Sequence, residues 1–142
     1  MAKYFDYTLL NLHATANDFK TLCADAKKYG FMMVAINSAP VALCKRLLDG
    51  SGVHVGAAIS FPLGQTTIEA KRFETLNALE NGADEIDYVV NITKLKDGDH
   101  AYIEREMREI VETCRGHNAI SKVIFETCYL TNDEKRSCAK PL

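Results

Sequence analysis

The sequence lacks the features that mark several classes of protein. Its five cysteines are odd in number, widely spaced and free of any Cys-x-x-Cys pair, which argues against a zinc site or a disulfide framework. No segment approaches the ~20 apolar residues that span a bilayer, and residues 1–30 show no signal-peptide pattern. With 17 basic and 19 acidic residues, nothing suggests nucleic acid or a membrane surface as partner. We therefore expect a cytoplasmic protein with free thiols.

Hairpin signals, linkers and low-complexity segments are also missing, and a repeating pattern takes their place. A short apolar run, a turn signal, an amphipathic helix and a glycine recur about every 30 residues, the size of a βαβ unit. The predicted strands cover residues 4–10, 31–37, 53–61, 85–92 and 122–127. Strands that alternate with helices indicate a parallel sheet with right-handed crossovers. We treat residues 1–142 as one α/β domain.

Local signals place the helix ends. Thr15 or Asn17 is predicted to cap the first helix, and Gly30 to end it. Ser38 is predicted to cap the second helix, and Thr66 or Thr67 the third. The most amphipathic helix follows the turn at residues 96–98, and a capping box at residues 131–134 begins a sixth helix.

Polar side chains fall on one face of four of the five predicted strands. Residues i and i+2 of a strand share a face, so the alternation predicts an apolar face and a face carrying Asp6, Asn37, Asp87 and Lys122. An open sheet covered by helices on both sides would need two apolar faces. The pattern therefore favours part of a (β/α)8 barrel, whose inner face can hold polar groups near its active end.

Asp87 and Lys122 come from neighbouring predicted strands, so they are expected to pair inside the barrel. Pairing would offset the cost of burying either charge. An internal salt bridge without a catalytic role fits the pattern as well as an active site does.

Four segments carry a specific resemblance. In their order and spacing they resemble deoxyribose-phosphate aldolases, over nearly all of residues 4 to about 134. The segments are FDYTLL (5–10), FPLG (61–64), ADEIDYVVNI (83–92) and KVIFET (122–127).

The resemblance implies a TIM-type (β/α)8 barrel and a class I aldolase that needs neither metal nor cofactor. Such an enzyme cleaves 2-deoxyribose 5-phosphate, a step of deoxyribonucleotide catabolism, through a Schiff base on a neutral lysine. It further implies that Asp87 is a proton-relay aspartate and that Lys122 is an active-site lysine other than the Schiff-base one. Asp6 and Asn37 are then expected to bind substrate.

The family's Schiff-base lysine lies in a Lys-Thr-Ser-Thr-Gly run on the sixth strand, and this run does not occur here. Five strands cannot close an eight-stranded barrel, and the apolar period fades after Glu134, before Pro141. From these features we expect a barrel truncated after its fifth unit, with a reading frame cut or shifted near residue 135. Its first and fifth strands would be open edges that favour homo-oligomers. A catalytically inactive assembly fragment and one part of a split enzyme are alternatives to an aldolase.

Overall fold

The computed structural model describes residues 1–139 and shows a single parallel sheet with strand order β1-β2-β3-β4-β5. Each right-handed βαβ crossover places the next strand directly beside the previous one, which gives this sequential order. This arrangement confirms the predicted α/β partial barrel. The strands are β1 (Asp6–Leu9), β2 (Met33–Asn37), β3 (His54–Ile59), β4 (Glu85–Val89) and β5 (Ile120–Ile124).

Within residues 1–139, six α-helices connect or follow the strands, and two short 3-10 turns lie before β1 and after β5. The helices are α1 (Ala16–Tyr29), α2 (Val41–Leu48), α3 (Ile68–Glu80), α4 (Ile92–Lys96), α5 (His100–Arg115) and α6 (Asn132–Cys138); the 3-10 turns are Ala2–Tyr4 and Thr127–Tyr129.

The outer face of the sheet is apolar and packs against the helices. Its side chains, with those of the covering helices, form one buried core, in which Val34, Ile36, Val55, Ile86 and Tyr88 are almost completely enclosed. Burial of this apolar surface is the main term that holds the sheet to its helices.

The inner face differs in composition. Small residues line its centre, and a Cβ at Gly56 would lie 2.7 Å from the sulfur of Met33. Met33 therefore occupies the space that the missing side chain leaves, and it is fully buried.

Several predicted helix ends are confirmed. Thr15 caps α1 with a capping box, and Gly30 ends it in the left-handed conformation at φ 66°. Thr67 caps α3, and Thr131 caps α6 through a capping box with Glu134. Each cap satisfies backbone N–H groups that the first helical turn leaves unpaired.

Every predicted strand is longer than the observed one. Three of the wrong element ends have an identifiable cause. Ser38 does not cap α2, whose N-cap is Pro40. The Ser38 hydroxyl donates instead to Glu74 Oε1 at 3.0 Å. The strand predicted over residues 85–92 ends at Val89, because Asn91 caps the short helix α4. The strand predicted over residues 122–127 begins at Ile120 and ends at Ile124, before Glu126 turns left-handed at φ 49°.

The sixth helix extends beyond the residue at which the apolar pattern was expected to fade. α6 continues to Cys138, which is buried against the core. Pro141, part of that expectation, lies outside the described residues.

The two edge strands are more exposed than the centre of the sheet. All five residues of β4 are buried, whereas every residue of β1 and β5 is exposed or partly exposed. Across residues 1–139, no helix is long and apolar enough to cross a membrane.

Candidate active site

Three of the four predicted site residues meet on the inner face of the sheet. Lys122 Nζ donates to Asp6 Oδ2 at 2.9 Å and lies 3.0 Å from Asp87 Oδ2. The register aligns Asp87 directly with Lys122. Asp6 is the first residue of β1, the edge strand opposite β5. The curvature of the sheet brings β1 round to face β5 across the interior. The predicted Asp87–Lys122 pair is therefore confirmed, and Asp6 completes a cluster that we call the inner-face triad.

The triad is open on one side. The side chain of Lys122 is 46% exposed and that of Asp87 11% exposed, so the lysine end faces solvent while the aspartate lies deeper. Within the described part of the chain, Asp87 Oδ1 is buried without a hydrogen-bond partner. A buried carboxylate oxygen without a partner is costly, and sites that bind a ligand or relay a proton commonly keep such groups.

The surroundings of Asp87 and Lys122 shift their pKa values for different reasons. Burial raises the pKa of Asp87, and the hydrogen bond and charge of Lys122 offset this effect only in part. Burial alone would lower the pKa of Lys122, but the hydrogen bonds and charges of Asp6 and Asp87 outweigh it, and the net shift is upward. Lys122 therefore keeps its proton firmly, whereas Asp87 holds one to a higher pH than an ordinary aspartate does.

Asn37 occupies the same register row as Ala58, Asp87 and Lys122, as the face pattern predicted. Over residues 1–139, however, it makes no hydrogen bond with the triad. Its side chain contributes to an open cavity of about 400 Å³, between the loops that follow β1 and β2. The cavity is lined by Asn11, Leu12, Ala14, Ala16, Phe19, Asn37, Ala39, Pro40 and Leu43.

A polar network that sequence reasoning missed holds the loops beside the triad. Glu74 of α3 accepts from the Ser38 hydroxyl at 3.0 Å and from the Ser60 N–H at 2.9 Å. Ser60 adopts a left-handed conformation at φ 50°, and its hydroxyl lies 2.7 Å from that of Thr66. One carboxylate thus ties the ends of β2 and β3 to the helix behind them.

A second missed feature is a lysine–carboxylate pair enclosed between α3, α5 and the end of β4. Lys71 Nζ donates to Glu106 Oε1 at 2.6 Å and to the carbonyl of Val89 at 2.7 Å. Glu106 Oε2 accepts the N–H of Asn91 at 3.1 Å. Both charged side chains are completely buried. Burial is the leading effect on each pKa, lowering that of Lys71 and raising that of Glu106.

This geometry can hold and exchange protons on the inner face of a parallel sheet. A parallel (β/α) sheet with an ionisable inner face and an apolar outer face is typical of TIM-barrel enzymes. No group of three or more metal-ligating side chains is assembled among residues 1–139.

Comparison with known proteins identifies the class more closely. The sequence profile of the DeoC/LacD family aldolases matches residues 1–140. The chain belongs to this family.

Curated relatives and solved structures agree with the match. The chain is 52% identical over 139 residues to a deoxyribose-phosphate aldolase of Lactobacillus acidophilus, covering 98% of this chain and 59% of that protein. It is 48% identical to one of Bacteroides thetaiotaomicron, covering 99% of this chain and 59% of the relative. A tetrameric deoxyribose phosphate aldolase from Aeropyrum pernix superposes with a TM-score of 0.86 at 30% identity, over 97% of this chain and 60% of that one. The chain therefore spans about three fifths of the length of these proteins.

Proposed function

We propose that this chain provides the proton-handling and substrate-binding part of a deoxyribose-phosphate aldolase site. The reaction would cleave 2-deoxyribose 5-phosphate to glyceraldehyde 3-phosphate and acetaldehyde. The observation that carries the proposal is the inner-face triad, in which Lys122 contacts both Asp6 and Asp87 while Asp87 Oδ1 is buried without a partner over the described residues. Membership of the aldolase family supports the reaction class.

Each residue of the site has a role that its chemistry allows. Asp87, whose pKa burial raises, would pass a proton to and from the substrate carbon. Lys122, whose pKa is raised on balance, would remain an ammonium group and stabilise negative charge as it develops. Asp6 would fix the lysine in place, and the amide of Asn37 would hydrogen-bond to sugar hydroxyls.

Lys122 is poorly suited to be the Schiff-base nucleophile. A nucleophilic lysine must lose its proton, which requires a lowered pKa, and the two carboxylates have the opposite effect. The imine would instead form on a lysine of a sixth strand paired with the free edge of β5. That strand could be supplied by the same polypeptide or by a separate one.

A hybrid enzyme tests this proposal. Residues 1–134 of this chain would be joined to the remaining segment of the Lactobacillus acidophilus relative, and cleavage of 2-deoxyribose 5-phosphate would be measured. We expect the hybrid to be active and the 142-residue chain alone to be inactive. An inactive but folded hybrid, beside an active intact relative, would refute the proposal.

Borohydride trapping with the same substrate locates the nucleophile. Intact-mass analysis should show one adduct on the hybrid and none on the chain alone, and peptide mapping should place the adduct on the added segment. An adduct on Lys122 would make that lysine the nucleophile and overturn the role given to it here.

A second candidate function is assembly without catalysis, through the open edges of the sheet. The exposed or partly exposed residues of β1 and β5 favour it, because unpaired edges pair readily with other strands. The protein would then act in the cytoplasm, consistent with five free cysteines. Gel filtration distinguishes the candidates, since a chain that stays monomeric and becomes active in the hybrid has no need of this role.

A further inference from the structure

Glu74 hydrogen-bonds to two loops at the carboxyl end of the sheet. Its Oε1 accepts from the Ser38 hydroxyl at 3.0 Å, and its Oε2 accepts from the Ser60 N–H at 2.9 Å. Ser38 directly follows β2, and Ser60 directly follows β3. One side chain of α3 therefore fixes two neighbouring strand ends. Holding a long side chain in one conformation costs entropy, and the two hydrogen bonds offset that cost.

The backbone at Ser60 is strained. Its φ of 50° is left-handed, a conformation that is unfavourable for a residue with a Cβ. The bond from the Ser60 N–H to Glu74 and the 2.7 Å contact between the hydroxyls of Ser60 and Thr66 hold it there. Strained backbone persists only where the surroundings fix it, and it is concentrated at functional sites. The turn after β3 is therefore kept in one position by contacts that include Glu74.

The loop that begins at Ser60 contacts the end of β4. The Gly64 N–H donates to the Ser60 carbonyl at 2.8 Å. A Cβ on Gly64 would collide with the carbonyl oxygen of Val90, so the loop lies directly against the residue that follows β4. The strand β4 carries Asp87 of the inner-face triad. A displacement of Ser60 would therefore be transmitted to the strand that presents this aspartate.

The other hydrogen bond of Glu74 acts next to Asn37. Ser38 follows Asn37 directly, and Asn37 lies in the same register row as Asp87 and Lys122. The Asn37 side chain lines the open cavity and, over residues 1–139, makes no hydrogen bond. Its direction is therefore set by the backbone at the end of β2, which the bond between Ser38 and Glu74 anchors.

We propose that Glu74 is a positioning residue for substrate binding. It fixes the loops after β2 and β3 so that the Asn37 amide meets the sugar hydroxyls beside the inner-face triad; this inference rests on the proposed function. Glu74 acts by hydrogen bonding, since its oxygens contact an N–H and a hydroxyl. Asn37 binds the ground state and the transition state alike, so loss of Glu74 should raise KM and leave kcat nearly unchanged.

Steady-state kinetics of the hybrid enzyme test the proposal. Glu74→Leu keeps the size of the side chain but accepts no hydrogen bond, and we expect it to raise KM for 2-deoxyribose 5-phosphate about tenfold, with kcat within about threefold of the parent. Glu74→Gln can accept the Ser60 N–H and donate to the Ser38 hydroxyl, so its KM should stay within about threefold. Glu80→Leu is the matched control on the same helix, because Glu80 is exposed and makes no hydrogen bond within residues 1–139.

The 142-residue chain reports the same contact without catalysis. In the amide NMR spectrum, the side-chain NH2 signals of Asn37 are identified by their loss in Asn37→Asp. Glu74→Leu should shift or broaden these signals, because the end of β2 loses its anchor. Glu74→Gln and Glu80→Leu should leave them at the parent positions.

Thermal unfolding of each variant shows whether it is folded. If Glu74→Leu does not fold, Ser38→Ala takes its place, since it removes one bond to the same carboxylate and should raise KM about threefold. An unchanged KM in a folded Glu74→Leu, a Glu74→Gln variant no better than Glu74→Leu, or unchanged Asn37 signals would overturn the proposal. An inactive parent hybrid would instead refute the aldolase assignment, on which the spectra of the chain do not depend.

Discussion

Two lysines of this chain contact carboxylates on either side of β4, and their surroundings give them different properties. Lys71 and Glu106 are fully enclosed and bonded to the backbone, at the carbonyl of Val89 and the N–H of Asn91. Lys122 is about half exposed and meets Asp6 and Asp87 on the inner face. The enclosed pair has no access to a substrate, whereas the open triad does. Solvent access therefore suits the open triad, and not the enclosed pair, to the proposed chemistry.

The pKa shifts express the same contrast. Burial dominates for Lys71 and lowers its pKa, whereas for Lys122 the combined effect of two carboxylates outweighs burial and raises its pKa. The enclosed pair holds its elements together but pays a desolvation cost, so its members should be sensitive to the loss of the partner. The open triad should tolerate such losses, because solvent replaces the missing partner.

The largest effect is expected when the enclosed lysine is removed. Lys71→Met would leave the Glu106 carboxylate buried without its counter-ion and the Val89 carbonyl without its donor. We expect a loss of about 3–5 kcal/mol in the free energy of unfolding, measured by urea denaturation. A loss below about 1 kcal/mol would show that water reaches the pair.

The double variant Lys71→Met/Glu106→Gln should recover much of this loss. Glutamine removes the buried charge and can still accept the N–H of Asn91. We expect the double variant to be at least about 1 kcal/mol more stable than Lys71→Met alone in the same denaturation experiment, since it no longer buries an unpaired charge. If the double variant lost as much free energy of unfolding as the two single variants together, or more, the unpaired buried charge would not be the source of the destabilisation.

Removal of the open lysine provides the matched control. Lys122→Met should lower the free energy of unfolding by about 1 kcal/mol or less, because this lysine is half exposed and Asp87 can respond by holding a proton. A loss as large as that of Lys71→Met would remove the distinction between the two sites.

The smallest effect is expected at Asp87 and depends on pH. Its pKa is higher in the folded chain than in the unfolded one, so its contribution to stability is complete below about pH 4 and is lost as pH rises through the folded value. Asp87→Asn removes this loss. The variant should therefore gain stability over the parent between pH 4 and 7, by about 1 kcal/mol or less. A stability difference between Asp87→Asn and the parent that decreases as pH rises would contradict the raised pKa of Asp87.

The Asp87–Lys122 pair of the open triad could be predicted from sequence because its pattern is local. Alternation along β4 and β5 placed Asp87 and Lys122 on one face, and neighbouring parallel strands brought them together. The contact of Lys122 with Asp6 was not predicted, because it depends on the curvature that turns β1 towards β5. Asn37 lies on the inner face, as predicted, but it makes no hydrogen bond with the triad in the described residues.

The enclosed pair was missed although signals for it exist. Lys71 falls three residues after the buried Ile68, and Glu106 three residues after the buried Ile103, so both lie within apolar helical stripes. A charge within such a stripe indicates a buried partner, but its identity depends on how α3 packs on α5. The helix α4 was missed for a related reason, since the apolar sequence through Ile92 reads as strand until the cap at Asn91 is recognised.

The measurement that tests the central claim most directly is the activity of the hybrid enzyme with and without Lys122. We predict that Lys122→Met lowers kcat for cleavage of 2-deoxyribose 5-phosphate by at least about 100-fold, while the free energy of unfolding changes by about 1 kcal/mol or less. Such a result would identify the open lysine as part of the chemistry. A decrease of less than about threefold in an active hybrid would show that the triad is an internal ion pair without a catalytic role.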